Sequence, residues 1–235
     1  MTEAHDSLLH YHRDLEELER TVLGMANQAE KMAGMAVEAV TTDNVELARE
    51  VVSLFDEVHA KHLDVHRAWT ELLVRNQPLG SDLRKMTVLL QLNVTFERMA
   101  AQCSNISKIA IANTGLPMVE NIVEKVLEMG DLVRPMVRVS INSYIRKDLD
   151  EARLLPAMDE PVDRLNANMY KEVVSVGGHP EMLEWATKML MVSRALERIG
   201  DQAVDFAEQT AFLITGERAW FDEAGLSKAG DGDDG

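Results

Sequence analysis

From Leu15 onward, apolar or small residues stand at Leu15, Leu18, Val22, Met25, Ala29, Met32, Ala36 and Ala39, in alternating steps of three and four. That spacing keeps one stripe of a long helix against a core. The stripe stops at Thr41-Thr42-Asp43-Asn44, where Asp43 followed by Glu46 has capping-box spacing and predicts a second helix running to about Arg75. Asn76-Gln77-Pro78-Leu79-Gly80-Ser81 turns the chain. A third helix is predicted from about Asp82 to Ala112, ended by Asn113-Thr114-Gly115, with Pro117 placed to open the next one. The second half follows the same plan. One helix is predicted from about Pro117 to Ile145, another opens at Asp148 with Glu151 in capping-box spacing, and a last one follows Gly177-Gly178-His179-Pro180 to about Thr215. Pro156 and Pro161 interrupt the fifth helical pattern and predict a kink or break, because an interior proline removes a backbone donor and clashes with the preceding turn.

The two halves align. Phe96-Glu97-Arg98-Met99 lies over Leu196-Glu197-Arg198-Ile199, 100 positions on, and Leu83 and Leu90 then fall on Leu183 and Leu190. Val22-Leu23-Gly24-Met25 lies over Val126-Leu127-Glu128-Met129 at an offset of 104, which also sets Phe55 to His59 over Asp159 to Asp163. A duplicated unit is the economical explanation. The sequence therefore predicts an all-α fold of two tandem three-helix bundles, six long helices in all. An N-terminal segment covers 1–14, the first bundle 15–114 and the second 115–216, and an acidic tail expected to be disordered covers 217–235.

Composition narrows the class. Aromatics make up 5% of the chain while Met numbers 14, a mixture that suits helix packing better than β-sandwiches. The formal charge of -16 repels phosphate backbones and anionic membrane surfaces, and no basic patch offsets it, so a nucleic-acid partner is not expected. No apolar run is long enough to span a bilayer, and Met1-Thr2-Glu3-Ala4-His5-Asp6 lacks the basic start and apolar run of a signal peptide. A cytoplasmic protein without direct membrane insertion is expected. Cys103, alone in the chain, cannot form an internal disulfide, in keeping with a reducing compartment.

The chemistry-bearing residues are carboxylates. Asp159 and Asp163 are four apart, as are Asp201 and Asp205, and that spacing stacks each pair on one helix face; Glu197 extends the second column. Two readings stand: a solvated acidic face, or a site where facing carboxylates are neutralised by cations. Gly200 is expected to let another backbone approach closely. The first unit holds Phe55 and His59 on one helix and Ala101 and Asn105 on the other at these positions, so a matching carboxylate site is not expected there. His59, His62 and His66 with Asp56 follow helical steps of three and four, which either forms a plain polar face or could bind zinc or nickel.

The run Leu196-Glu197-Arg198-Ile199-Gly200-Asp201-Gln202-Ala203-Val204-Asp205-Phe206-Ala207-Glu208 resembles the signature of the PhoU family, the phosphate-specific transport system accessory proteins. Gln77-Pro78 followed by Asp82-Leu83-Arg84 resembles the family's turn into the third helix, and Glu97-Arg98 is a weaker copy of the signature, with Arg98 over Arg198. The resemblance spans roughly 15 to 215. It implies two three-helix bundles, commonly dimeric, that repress phosphate uptake and the phosphate-starvation response. It also implies action between the ATPase subunit of a phosphate ABC transporter and a membrane sensor histidine kinase. Some members bind iron or zinc clusters through paired acidic motifs, which Asp159, Asp163, Asp201 and Asp205 match; magnesium or manganese also suits such oxygen ligands.

Two other readings compete: a metal-binding adaptor of the same family serving a different transporter or pathway, and a carboxylate-bridged metal oxidase. The oxidase calls for Glu-x-x-His pairs on two helices, and no Glu stands three before any His. With no phosphate-binding Gly-rich loop and no nucleophile elbow, the chain is not expected to be an enzyme.

Overall fold

The computed structural model describes residues 2–217, 219–222 and 225–228. Among the described residues seven helices follow one another: α1 Thr2–Thr41, α2 Val45–Asn76, α3 Ser81–Ala112, α4 Glu120–Arg146, the short α5 Leu149–Ala152, α6 Leu155–Ser175 and α7 Pro180–Thr215. The first bundle is α1 to α3, and the second is α4, the α5–α6 pair and α7. The eight stripe residues of α1 from Leu15 to Ala39 are all buried. Among the described residues no helix is long and apolar enough to cross a membrane.

Several boundaries differ from the sequence expectation. Residues 2–14, set apart as an N-terminal segment, continue α1. The cap of α2 is Asn44, whose side chain accepts from the Leu47 amide at 3.1 Å, and not Asp43. Asp43 instead sits in the left-handed region at φ 52 and accepts from the Gly115 amide at 3.1 Å, tying the α1–α2 turn to the start of the inter-bundle connection. The repeat offset agrees with this: it lays Asn44 over Asp148, which caps α5 by accepting from the Asp150 and Glu151 amides, and Asp43 over Lys147, also left-handed at φ 55. Pro117 does not open α4, which begins at Glu120 behind the extended Val119. The break in the fifth pattern falls at 153–154, so that Pro156 lies in the first turn of α6 and costs no hydrogen bond; Pro161 is carried inside a continuous helix. The tail expected to be disordered contains two antiparallel strands, β1 Ala219–Asp222 and β2 Gly225–Lys228; its last residues, 229–235, lie outside the described residues.

The bundles pack through α1 against α4 and α3 against α7. Phe96 of α3 meets Phe206 of α7 edge-on, centroids 5.0 Å apart, and the Tyr144 ring of α4 lies 5.7 Å from Phe206. Gly130 of α4 leaves room for Val37 of α1, whose Cγ1 would lie 2.9 Å from a Cβ there. A polar junction closes one end. Glu19 of α1 accepts from Lys85 Nζ of α3 at 2.6 Å and from the Tyr144 hydroxyl at 2.7 Å. Burial pushes the Glu19 carboxyl up, but these two hydrogen bonds and the nearby ammonium charges outweigh it and leave its pKa lowered. Further along α1, Glu30 accepts from Arg134 at 3.4 Å and Arg138 at 2.9 Å, both on α4.

Candidate functional site

The helical period stacks Asp159 and Asp163 on α6 and Glu197, Asp201 and Asp205 on α7, and the packing of α6 on α7 turns the two columns toward each other. Asp159, Asp163 and Asp201 each offer a carboxylate oxygen within 4.8 Å of the others. Among the described residues no other group of three or more His, Cys, Asp or Glu comes as close. Pro161, between two of these ligand candidates, does not disturb their stacking. Asp159 is 9% exposed and Glu197 7%, whereas Asp163, Asp201 and Asp205 face solvent.

Gly200 explains how a carboxylate can sit this deep. A Cβ at that position would lie 2.5 Å from Asp159 Oδ1, so the missing side chain makes room for the acid. The expectation that Gly200 admits another backbone is therefore corrected: it admits a side chain. Asp159 Oδ1 and Glu197 Oε2 are buried with no hydrogen-bond partner, while Glu197 Oε1 accepts from Arg194 one turn earlier. Burial, with Asp163, Asp201 and Glu197 close by, pushes the Asp159 carboxyl up to about 7. Burial and Asp163 raise Asp201, and burial and Asp201 raise Glu197 against the pull of Arg194. Asp205 stands outside the close group. Burial raises it too, opposed by Arg98, which reaches it from the first bundle.

The residues present fit a hard cation. The donors are oxygen atoms of three carboxylates, and Asp159, buried against Gly200 with its Oδ1 unpartnered, is a carboxyl group whose charge a cation or a proton must offset. Iron, zinc, magnesium and manganese are each compatible with carboxylate donors.

Among its described residues the first bundle has no such group. His59 pairs with Glu97, Nδ1 to Oε1 at 3.0 Å, so the position of Glu197 is matched by an acid whose carboxylate already has a hydrogen-bond partner on the neighbouring helix. His62 stacks on His59 with centroids 6.0 Å apart, its Nδ1 3.4 Å from the Asn93 carbonyl oxygen. His66 and Asp56 are exposed, and the structure does not gather them with the other two around a common point.

One polar bridge escaped the sequence reading. Asn93 Nδ2 donates to the His62 carbonyl at 3.1 Å, and in the second bundle the Ser193 hydroxyl donates to Asn166 Oδ1 at 2.6 Å. The repeat offsets lay Asn93 over Ser193 and His62 over Asn166, so each bundle ties its second helix to its third at the same place. The turn signature also has a structural role. Gln77 is the left-handed cap of α2 at φ 46, Pro78 is buried, and Asp82 lies near enough to Tyr11 to help raise its pKa, burial being the larger cause. The Arg84 guanidinium rests against Gly216, the left-handed cap of α7 at φ 78, in space that any side chain there would fill. Arg198 is exposed beside the acidic column and, like Arg194, draws Glu197 and Asp201 down.

These duplicated bundles have known counterparts. The phosphate-specific transport system accessory protein PhoU homolog of Clostridium acetobutylicum is 27% identical over 210 residues, covering 88% of this chain and 95% of the relative. The homolog of the same name from Aquifex aeolicus is 30% identical over 206 residues, covering 87% and 93%. The crystal structure of PhoU from Pseudomonas aeruginosa superimposes with a TM-score of 0.83 at 26% identity, covering 88% of this chain and 99% of that one. The structure of the phosphate transport system regulatory protein PhoU from Streptococcus pneumoniae, at 22% identity and a TM-score of 0.80, shares the fold. The family model described as the PhoU domain matches twice, at 22–110 and 126–210, once on each bundle, and the chain thus belongs to the PhoU family.

Proposed function

We propose that this protein is a cytoplasmic negative regulator of phosphate uptake and of the phosphate-starvation response. It acts as an adaptor between the ATPase subunit of a phosphate ABC transporter and a sensor histidine kinase, works as a homodimer, and catalyses no reaction of its own. The observation that carries this reading is the pair of PhoU domains, one per bundle, shared over nearly the whole chain with proteins named as phosphate transport accessory proteins. Long helices with charged outer faces give such a protein broad surfaces for other proteins, and a net charge of -16 favours partners with basic patches.

Within that role Asp159, Asp163 and Asp201 hold a metal cation, iron or zinc in the first place, with Glu197 alongside. The chemistry the cation supplies is charge neutralisation. The residues of the chain orient it: Gly200 admits Asp159, and Arg194 fixes Glu197. The reading is supported by the buried, unpartnered Asp159 Oδ1.

The test of the regulatory role compares phosphate uptake and a phosphate-starvation reporter in cells with and without this gene, in phosphate-rich medium. Raised uptake and reporter output in its absence are expected. Unchanged output overturns the reading and leaves an adaptor for another transporter.

A further inference from the structure

In the second bundle Glu172 of α6 reaches across to α4. It accepts from Asn121 Nδ2 at 3.2 Å and pairs with Lys125 Nζ at 3.4 Å. The offset of 104 that lays His62 over Asn166 also lays Glu17, Thr21 and Ala68 over Asn121, Lys125 and Glu172. The first bundle therefore lacks both ends of the bridge: a methyl stands where the acid is, and a hydroxyl where the ammonium is.

A groove of about 740 Å³ opens at that place between α1 and α2. Gln28 of α1 meets both Glu57 and Lys61 of α2, which marks the antiparallel register; Leu18 and Ala68, some ten residues back along α1 and seven or more on along α2, line the same groove. Tyr11, Leu18, Val65 and Leu72 form the floor, each less than a tenth exposed, and the Tyr11 hydroxyl is buried without a hydrogen-bond partner. The rim is acidic. Asp64 and Glu71 have local partners in Arg67 and Arg75, but Glu17 makes no ion pair among the described residues. Glu19, two residues from both Glu17 and Thr21 and so about 200° around the helix, points the other way, into Lys85 and Tyr144. The groove thus lies on the side of α1 turned away from the second bundle.

We infer that this groove docks a basic amphipathic helix of a partner protein, its small apolar face laid over Ala68 and Leu18 and a lysine or arginine set beside Glu17. That cation replaces the one which Lys125 provides within the second bundle. The groove's reach along α1, from His10 to Thr21, is about 16 Å, or three helical turns, and a third helix laid along two antiparallel ones is an ordinary packing solution. A second copy of this chain, itself at -16, is the wrong sign for the site. The inference rests on the adaptor reading for its purpose. It is measured on purified protein, so its failure leaves the reporter result standing, and the reverse.

The test is a titration of a labelled synthetic helix of about 18 residues, leucine on one face and lysine on its flanks, into the full chain at physiological salt. Anisotropy reads affinity and amide hydrogen exchange maps the footprint. Protection over 10–21 and 64–76 is expected. Thr21→Lys with Ala68→Glu copies the second bundle's bridge into the first with no change in net charge, and is expected to weaken binding roughly tenfold or more. Glu17→Gln alters an exposed residue outside the floor, and is expected to weaken binding several-fold even if the double variant does not fold. Unchanged affinity in both variants overturns the inference, as does protection over α6 and α7. So does a double variant that changes oligomeric state, which makes a second copy the occupant.

Discussion

Asp159 of α6 occupies the space that a side chain on Gly200 of α7 would fill: its Oδ1 lies 2.5 Å from where a Cβ would stand. A methyl group there forces the carboxylate aside but meets only the end of a side chain. Alanine also gains about 0.5–1 kcal/mol over glycine within a helix. Gly200→Ala is thus expected to change stability by less than about 1 kcal/mol while lowering the cation content of the purified protein by half or more. Elemental analysis beside a thermal melt checks both; full cation content in the variant removes Asp159 from the ligand set.

The carboxylates divide into ligands and neighbours. Asp201 belongs to the group of three within 4.8 Å, whereas Asp205 stands outside it and faces Arg98. Asp201→Asn is expected to abolish tight cation binding, and Asp205→Asn to leave it within about threefold, a difference of under 1 kcal/mol. Calorimetric titration of the stripped protein with manganese or zinc separates the two. Equal losses would place Asp205 in the site.

Asp159 gives the metal-free protein a pH dependence with a definite sign. Its folded pKa is raised from 3.8 to about 7, by burial first and then by Asp163, Asp201 and Glu197. The folded state therefore binds the proton more tightly than the unfolded chain does. Stability falls as pH rises through the window between those values and is regained as pH drops back toward 4. The melting temperature of chelator-treated protein is expected to rise as pH is lowered from 8 toward 5, and added cation, taking the proton's place, to flatten that slope. A melting temperature independent of pH and cation would mean that Asp159 is solvated.

Phe206 joins the halves. It is fully buried, with Phe96 of the first bundle and Tyr144 of the second against its ring. Phe206→Ala removes these contacts and leaves a cavity at the α3–α7 seam, so a loss of about 3–5 kcal/mol in urea unfolding is expected. A loss below 1 kcal/mol would show that the seam repacks around the gap.

The sequence by itself determined the helices, because a stripe such as Leu15, Leu18, Val22 and Met25 repeats with the helical period and needs no partner to be read. It also determined the duplication, which the left-handed Asp43 and Lys147 and the caps Asn44 and Asp148 reproduce in the backbone. Spacing alone stacked Asp159 on Asp163 and Asp201 on Asp205. Only the tertiary structure decided which of those acids meet, since the facing of α6 and α7 depends on how whole helices rotate about their axes. It put Asp159 in the hollow at Gly200, left Asp205 to Arg98, paired His59 with Glu97 and opened the groove at Ala68. Each of these outcomes joins residues far apart in the chain, and local periodicity holds no information about the distance between two helix faces.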